Sequence, residues 1–427
     1  MFSPRLTAAL LACPRVLGAG LVAFTLGFST RLPAEPAPDW PQFLGPQRNG
    51  IYFGPPPAKT WPKEGPPVVW QRAVGAGFAG PAVSGERLVV FHSLSNRAVV
   101  EGLEARTGKA IWKSDYATDY RDDFGFDDGP RATPTIAAGR VLTYGAEGRL
   151  SCWNLETGEA LWAVDAVKDF GSRKGFFGRA SAPLVENGLV IVMPGGREGA
   201  GIAALEVATG KVRWQATGDE ASYGSPTVAT VQGQRILLAL TREALVALEP
   251  ADGRVLFRQP WRPRESTSVT AATPLVVDDL IFLSACYGAD AGVFRFRSTG
   301  PDKLWTSAEV LSNHYATSIH HGGFLYGWHG RQEQGCELRC VELLTGKIRW
   351  RESGLKAGSI TLAGDELLVL TERGLLLRAP ASPDGFKPTA QAQILPSNVR
   401  AFPALANGFL FARSKDRLWG LNLRPDP

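Results

Sequence analysis

Cysteine is scarce in this chain: five in 427 residues, no two of them adjacent. Methionine (2) and histidine (5) are equally sparse, and charged residues make up only 20%. Each scarcity excludes something. Four cysteines beyond Cys13 are no disulfide framework. Cys336 and Cys340 stand four apart on what should be one extended strand, roughly 13 Å at the usual rise, too far to share an ion or a disulfide. Small buried hydrophobes are the role expected of them. The formal charge is +5, and it falls to +2 without the first 34 residues, which carry Arg5, Arg15 and Arg31 and no acid. So small an excess makes no electrostatic case for nucleic acid. After residue 34 no apolar run is long enough to cross a membrane as a helix. The five histidines are expected in loops, and nothing marks a nucleophile. No catalytic residue and no metal ligand is therefore assigned.

The N-terminus has its own pattern. Val16 to Ser29 form an apolar run of 14 residues, and Leu32-Pro33-Ala34 offers a small-residue cleavage site. That is the anatomy of a signal peptide over residues 1–34, which implies export to the periplasm or beyond. Leu10-Leu11-Ala12-Cys13 loosely matches a lipidation site, the alternative reading. Pro14 and Arg15 follow that cysteine, however, and the longer apolar run is left without a purpose.

What the chain has in quantity is Gly (48), Pro (31) and Trp (12), spread evenly among short apolar runs. Such a mixture reads as many short strands joined by tight turns. The order emerges at the tryptophans. Thr107-Gly108-Lys109-Ala110-Ile111-Trp112 recurs at 157–162, 209–214 and 345–350. Degenerate copies end at Phe257 and Trp305, so the terminal aromatics return every 43–52 residues. That is the period of a four-stranded propeller blade. About 31 residues before each aromatic a proline opens an apolar stretch (Pro81, Pro134, Pro183, Pro226, Pro274), as Pro403 does late in the chain; Thr317 fills the place once. The first residue of a strand loses no ladder donor to proline. Six blades follow from these marks, and a weaker seventh fits 357–395. An eighth begins at Phe402 and supplies only three strands by Leu423. Pro67-Val68-Val69-Trp70 has the terminal signature with no blade before it. The expectation is an all-β, eight-bladed propeller over 67–427, its last blade closed by the N-terminal strand, with residues 35–66 as an N-terminal extension. Seven blades is the alternative if 357–395 is misread. Trp70, Trp112, Trp162, Trp214, Phe257, Trp305 and Trp350 are expected to dock between blades against the glycine turn of the next copy.

These repeats resemble the pyrroloquinoline-quinone (PQQ) propeller repeat, because the Thr-Gly-Lys-x-x-Trp ending and the frame Ala204-Leu205-Glu206-Val207-Ala208-Thr209-Gly210 occur in register. The resemblance runs from about Asp39 to Leu423. The stretches Asp39 to Gly50, Gly129 to Pro134 and Ser222 to Pro226 look like exported quinoprotein-like members common in planctomycetes and verrucomicrobia. The superfamily implied holds PQQ-dependent dehydrogenases and a non-enzymatic lipoprotein of the outer-membrane β-barrel assembly machinery. Its dehydrogenases use an adjacent Cys-Cys pair, Ca²⁺ ligands of Glu, Asn and Asp type, and an Asp base. This chain has no adjacent cysteines, and eight blades leave no long inserted loops for a cofactor roof. Asp122-Asp123 and Asp278-Asp279 sit in predicted turns, where solvated carboxylates are expected. No cofactor is assigned. A quinone, if bound, would need to stack on Trp153 or Trp328 and be gripped by Arg131 and Arg400.

The position three before each strand-opening proline should lie at the mouth of the central channel. Around the ring it reads Phe78, Arg131, Ala180 with Arg179 beside it, Tyr223, Ala271, His314 and Arg400. Arg131, Arg179, Tyr223, His314 and Arg400 form a candidate site for an anionic or hydrogen-bonding ligand. The competing role is structural, with the arginines bridging neighbouring blades. The reading that follows is a monomeric, non-catalytic binding or scaffold propeller of the cell envelope, engaging protein or carbohydrate partners and no nucleic acid. A PQQ-dependent dehydrogenase of reduced size is the alternative.

Overall fold

The inner strands of this protein have no polar face. Arg140–Tyr144 and Ile202–Glu206 are buried along nearly their whole length, whereas the outermost strands, such as Ala110–Ala117, alternate buried and exposed. A strand sandwiched between two neighbouring sheets must be apolar on both faces; one at the periphery needs only one apolar face. The computed structural model describes residues 39–265 and 268–425, so the expected leader over 1–34 lies outside the described residues. The described residues all belong to one compact unit.

Eight antiparallel sheets follow one another along the chain, each contributing four strands to an eight-bladed β-propeller. Blades 1 to 7 occupy 82–117, 135–165, 184–216, 227–260, 275–307, 319–353 and 358–393. Blade 8 combines Ala404–Ala406, Phe409–Arg413 and Arg417–Asn422 with Val68–Ala73, which pairs Trp70 with Gly420 and Ala73 with Arg417. Stretch 357–395 is a complete blade, so the seven-bladed alternative is excluded. Among the described residues helix is limited to Ala166–Phe170 and a 3-10 turn at Gln332–Gln334, and none of it is long and apolar enough to cross a membrane.

The core lies between blades, where each hydrophobic cluster draws on neighbouring sheets. Tryptophan sets the spacing. Trp112 of blade 1 covers Gly158 of blade 2 so closely that a Cβ on the glycine would lie 2.4 Å from the ring, and the φ of +72° there is one that L side chains rarely adopt. The same indole donates from Nε1 to the Leu155 carbonyl at 2.8 Å. Trp70, Trp162, Trp214 and Trp305 repeat the arrangement on Gly108, Gly210, Gly253 and Gly346, donating to Ala105, Val207, Pro250 and Leu343 at 2.8–3.0 Å. Trp350 donates to Ser382 at 2.8 Å and packs on Phe386 instead of a glycine. Phe257 has no N–H to give and meets Phe296 at 5.8 Å. Blade 7 carries no docking aromatic on Ala390–Gln393; Gly65 of the N-terminal extension lies against Ala392 there.

Residues 39–52 do more than precede the ring. Trp40 exchanges backbone hydrogen bonds with Val83 of blade 1, and Pro41 accepts from Ile136 of blade 2 at 2.7 Å. Arg48, fully buried, donates to Ala182, Pro183 and Pro226 of blades 3 and 4. Ile51–Tyr52 add a parallel strand to blade 7, and the Tyr52 hydroxyl accepts from Gly408 of blade 8 at 2.9 Å. All these partners belong to innermost strands or their flanks. The segment therefore crosses one end of the central channel and closes it. Burial lowers the Arg48 guanidinium to about 9, a cost offset by three carbonyls.

The histidine expectation needs correcting. His92, His320, His321 and His329 are on strands, and only His314 is in a loop. A neutral imidazole with both nitrogens bonded is tolerated inside: His92 accepts from Gly75 at 3.0 Å and pairs with Glu101 at 2.9 Å. Glu101 in turn holds Arg72 of the closing strand, so this trio joins blade 8 to blade 1. All four described cysteines are free and buried, with Cys336 just ahead of its strand rather than on it.

Two outcomes follow. Deleting residues 35–75 should lower the melting temperature by more than about 10 °C and drive association through the bared edge of blade 8; a clean monomer with unchanged melting would contradict the closure. Burial also holds His92, His314 and His320 below the ordinary imidazole range and His329 at about 4. Groups depressed on folding take up protons on unfolding, so stability should be intact above about pH 6.5 and fall from there towards pH 4. Melting curves at pH 7.5, 5.5 and 4.5 check this; equal midpoints would refute it.

Candidate functional site

With one end of the channel closed, the other forms a funnel of 450 Å³. Phe43 of the closing segment is its floor, edge-on to Phe402 of blade 8 at 4.9 Å. The wall includes Phe78, Arg131, Ala180, Tyr223, Ala271, His314 and Arg400, the six residues that the strand-opening prolines index and the one, His314, that Thr317 indexes. Each blade's chain turns inward at the same place, so an offset from the proline selects the same height on the wall.

Arg179, also a candidate, is not on that wall. It is buried behind it, donating to Ser172 Oγ and the Lys174 carbonyl. The hydroxyl of Tyr223 is likewise committed, accepting from Phe176 and Phe177 backbone N–H groups at 2.9 and 3.2 Å. These two residues hold the loop after blade 2 in shape and leave only the Tyr223 ring to the cavity. His314 lies between the Tyr287 hydroxyl, 2.7 Å from Nε2, and Gln332 Oε1, which meets Nδ1. A neutral ring protonated on Nδ1 satisfies both neighbours, and burial favours that state.

The funnel arginines differ in how fully they are engaged. Arg131 donates to the Asp127 carbonyl at 3.1 Å and to Tyr120 Oη at 3.3 Å, and lies 3.5 Å from Asp122. Asp122 is not the solvated carboxylate expected of a turn. Its side chain is 0% exposed and accepts from the Phe126 and Asp127 backbone N–H groups at 2.6 and 3.2 Å, organising the loop that carries Phe124 and Phe126. Arg400 meets Glu372 through Nε at 3.1 Å, while the Tyr315 hydroxyl donates to the same carboxylate oxygen. Neither terminal nitrogen of Arg400 bonds to a described residue. The same holds for Arg331, which lies over Tyr287 at 4.5 Å and 3.6 Å from Glu333.

The rim was not legible from the repeat. Phe124, Phe126, Phe176, Phe177, Tyr287, Tyr315, Arg331, Gln332, Glu333 and Phe402 all line the funnel and all lie between strands or at their flanks. The connections 118–134 and 166–183, together with 330–336, roof the cavity, contrary to the expectation that no loop was long enough. Their signal was compositional: Phe124-Gly125-Phe126 and Phe176-Phe177 stand in the two longest linkers between early blades.

Fold and site together define a tryptophan-docked, eight-bladed propeller with a one-ended aromatic funnel. A family model described as outer membrane protein assembly factor BamB matches residues 95–352, more than half the chain, and the protein belongs to that family. BamB of Bordetella pertussis is 25% identical over 288 residues, covering 57% of this chain and 68% of the relative. Among solved structures, BamB of Moraxella catarrhalis aligns at a TM-score of 0.60 and 17% identity over 84% of this chain and 98% of that one. The quinohemoprotein alcohol dehydrogenase of Comamonas testosteroni aligns at 0.65 and 14% identity, over 91% and 81%. At such identities these structures share the fold.

The dehydrogenase likeness raises the matter of a calcium-bound quinone. The residues present do not fit that pair. The four described cysteines are free and buried, no two of them adjacent in sequence, and no group of three or more His, Cys, Asp or Glu among the described residues is placed to hold an ion. Trp153 and Trp328, the stacking candidates, are buried within blades and absent from the funnel wall.

Replacing Arg131 by Ala should cost about 3 kcal/mol, because it strips a buried carboxylate of its counter-charge. Arg400→Ala, at a pair that is partly exposed, should cost less, about 1 kcal/mol. Urea unfolding of both variants checks the contrast; similar losses would show that Arg131 is not a structural residue.

Proposed function

We propose that this protein is a non-catalytic binding propeller of the cell envelope that holds a protein partner through its aromatic funnel. The observation that carries this is the wall itself. Rings from the floor at Phe43 to the rim at Phe124 and Phe126 face one cavity, and the two rim residues remain 56% and 47% exposed. Exposed apolar surface on that scale beside a concave site marks a place where another molecule docks. A carbohydrate is a poorer fit, since its hydroxyls each need a partner and most polar groups of the funnel are already bonded to one another. Family membership supports the scaffold reading: relatives carry the name of an assembly factor for outer membrane proteins. An extracytoplasmic setting fits both that name and the signal-peptide pattern of residues 1–34.

The reduced-dehydrogenase alternative has cavity volume in its favour and lacks the donors that a metal-bound quinone requires. Titration with PQQ and Ca²⁺ separates the two, because stoichiometric uptake with dye reduction by an alcohol would overturn the binding reading.

The direct test is photo-crosslinking in the cells that make the protein. With p-benzoylphenylalanine in place of Phe177, one protein adduct should dominate and should be lost on adding Phe402→Ala. The same label at Leu344, 59% exposed in the turn between Glu337–Glu342 and Ile348–Ser353, should not give it. Adducts from Leu344 alone, or none from Phe177, would overturn the proposal.

A further inference from the structure

The funnel is apolar in shape but not neutral in its demands. Resting on the docking role proposed above, we infer that its occupant is a peptide segment in which aromatic side chains stand next to carboxylates.

Three observations point the same way. The first is the pair of arginines whose terminal nitrogens have no hydrogen-bond partner among the described residues. Arg331 and Arg400 lie on the wall, each about 30% exposed, and the nearest approach of each to a carboxylate is through Nε, at 3.6 and 3.1 Å. Five donors in a planar fork are suited to a carboxylate, and two such forks on the funnel wall keep terminal donors that no described residue takes up. The acids Glu333 and Glu372 sit nearest the Nε sides, and Glu265 and Glu333 also line the funnel, so an incoming carboxylate is directed to the terminal nitrogens of these two arginines and away from the rest of that wall.

The second is the aromatic company of these cations. Arg400 stands 5.6 Å from the Phe78 centroid and 5.5 Å from that of Phe126, and Arg331 covers Tyr287. A ring inserted here would find edges and faces of other rings at stacking distance, with a cation beside it.

The third is the chain's own rim. Loop 122–128 reads Asp-Asp-Phe-Gly-Phe-Asp-Asp and already seats Phe124 against Phe176 and Phe177, at 6.1 and 5.1 Å, and Phe126 beneath Arg400. It shows that an acidic, aromatic sequence is compatible with this wall. An occupant confined to the cavity would leave the outer faces of these two phenylalanines in water. A peptide that runs over the rim would cover them, which favours a chain over a small aromatic anion.

The test is fluorescence anisotropy of the purified full chain with fluorescein-labelled Gly-Asp-Phe-Gly-Phe-Asp-Gly, and with versions carrying Asn or Lys in place of Asp. The acidic peptide should bind one-to-one, and at least tenfold more tightly than the Lys version. Arg331→Gln together with Arg400→Gln should weaken the acidic peptide about tenfold and leave the Asn version unchanged, with both variants melting like the parent. Equal affinity for the Asp and Asn peptides would overturn the acidic requirement while leaving funnel docking intact. Tight binding of 2,6-naphthalenedicarboxylate with no peptide binding would overturn the peptide assignment in favour of a small aromatic anion. Failure of every probe, together with no adduct from the Phe177 label, would remove the docking role as well.

Discussion

The indole of one blade lying on a glycine of the next is the contact from which the rest of this structure follows. It demands a residue without a side chain at a turn with positive φ, and a carbonyl three residues earlier to take the indole N–H. When both are supplied by the same short motif in each copy, adjacent sheets are locked at one separation and one angle. Repetition then generates a ring, and a ring has an inside. Where the motif degenerates, at Phe257, Trp350 and the outer strand of blade 7, other groups occupy the gap: Phe296, Phe386 and the N-terminal extension.

The extension has two physical duties, and they explain why the ring has a single open mouth. Val68–Ala73 complete blade 8, so the two ends of the chain are joined in one sheet. Upstream, residues 39–52 lie across the channel and spend a buried arginine on three strand-flanking carbonyls. Carbonyls at the inner ends of strands have no ladder partner, and one guanidinium can satisfy several of them at once. Phe43 then becomes the floor of a funnel whose wall is set by the strand-opening prolines.

How much of this was legible in the sequence depends on what encodes it. The blades were, because each repeat carries its own strand-opening proline, turn glycine and terminal aromatic. The closing strand was, since Trp70 bore the signature without a blade. Seven wall positions were, because one offset from the strand-opening position, proline in six blades and Thr317 in another, reads them all. The crossing segment was not: Asp39 to Gly50 obey no repeat, and their partners lie as far along the chain as Leu362 and Phe402. The phenylalanine rim was missed for a related reason, as linkers between blades have no register to be read against. Arg179 and Tyr223 show the limit of positional inference: proximity in the repeat placed them near the mouth, but hydrogen bonds to the loop over 172–177 decide what they do.

A ring of this kind offers two very different surfaces to a partner, the funnel mouth and the outer strand edges, and the account rests on the first. Hydrogen exchange of the chain, alone and bound to the protein that crosslinks at the funnel, separates them most directly. Protection on binding is expected in 122–128, 174–178 and 331–333, with the outer strands Ala110–Ala117, Ala160–Asp165 and Val212–Ala216 unchanged. Protection confined to those outer strands, with the three rim segments exchanging as in the free chain, would contradict it.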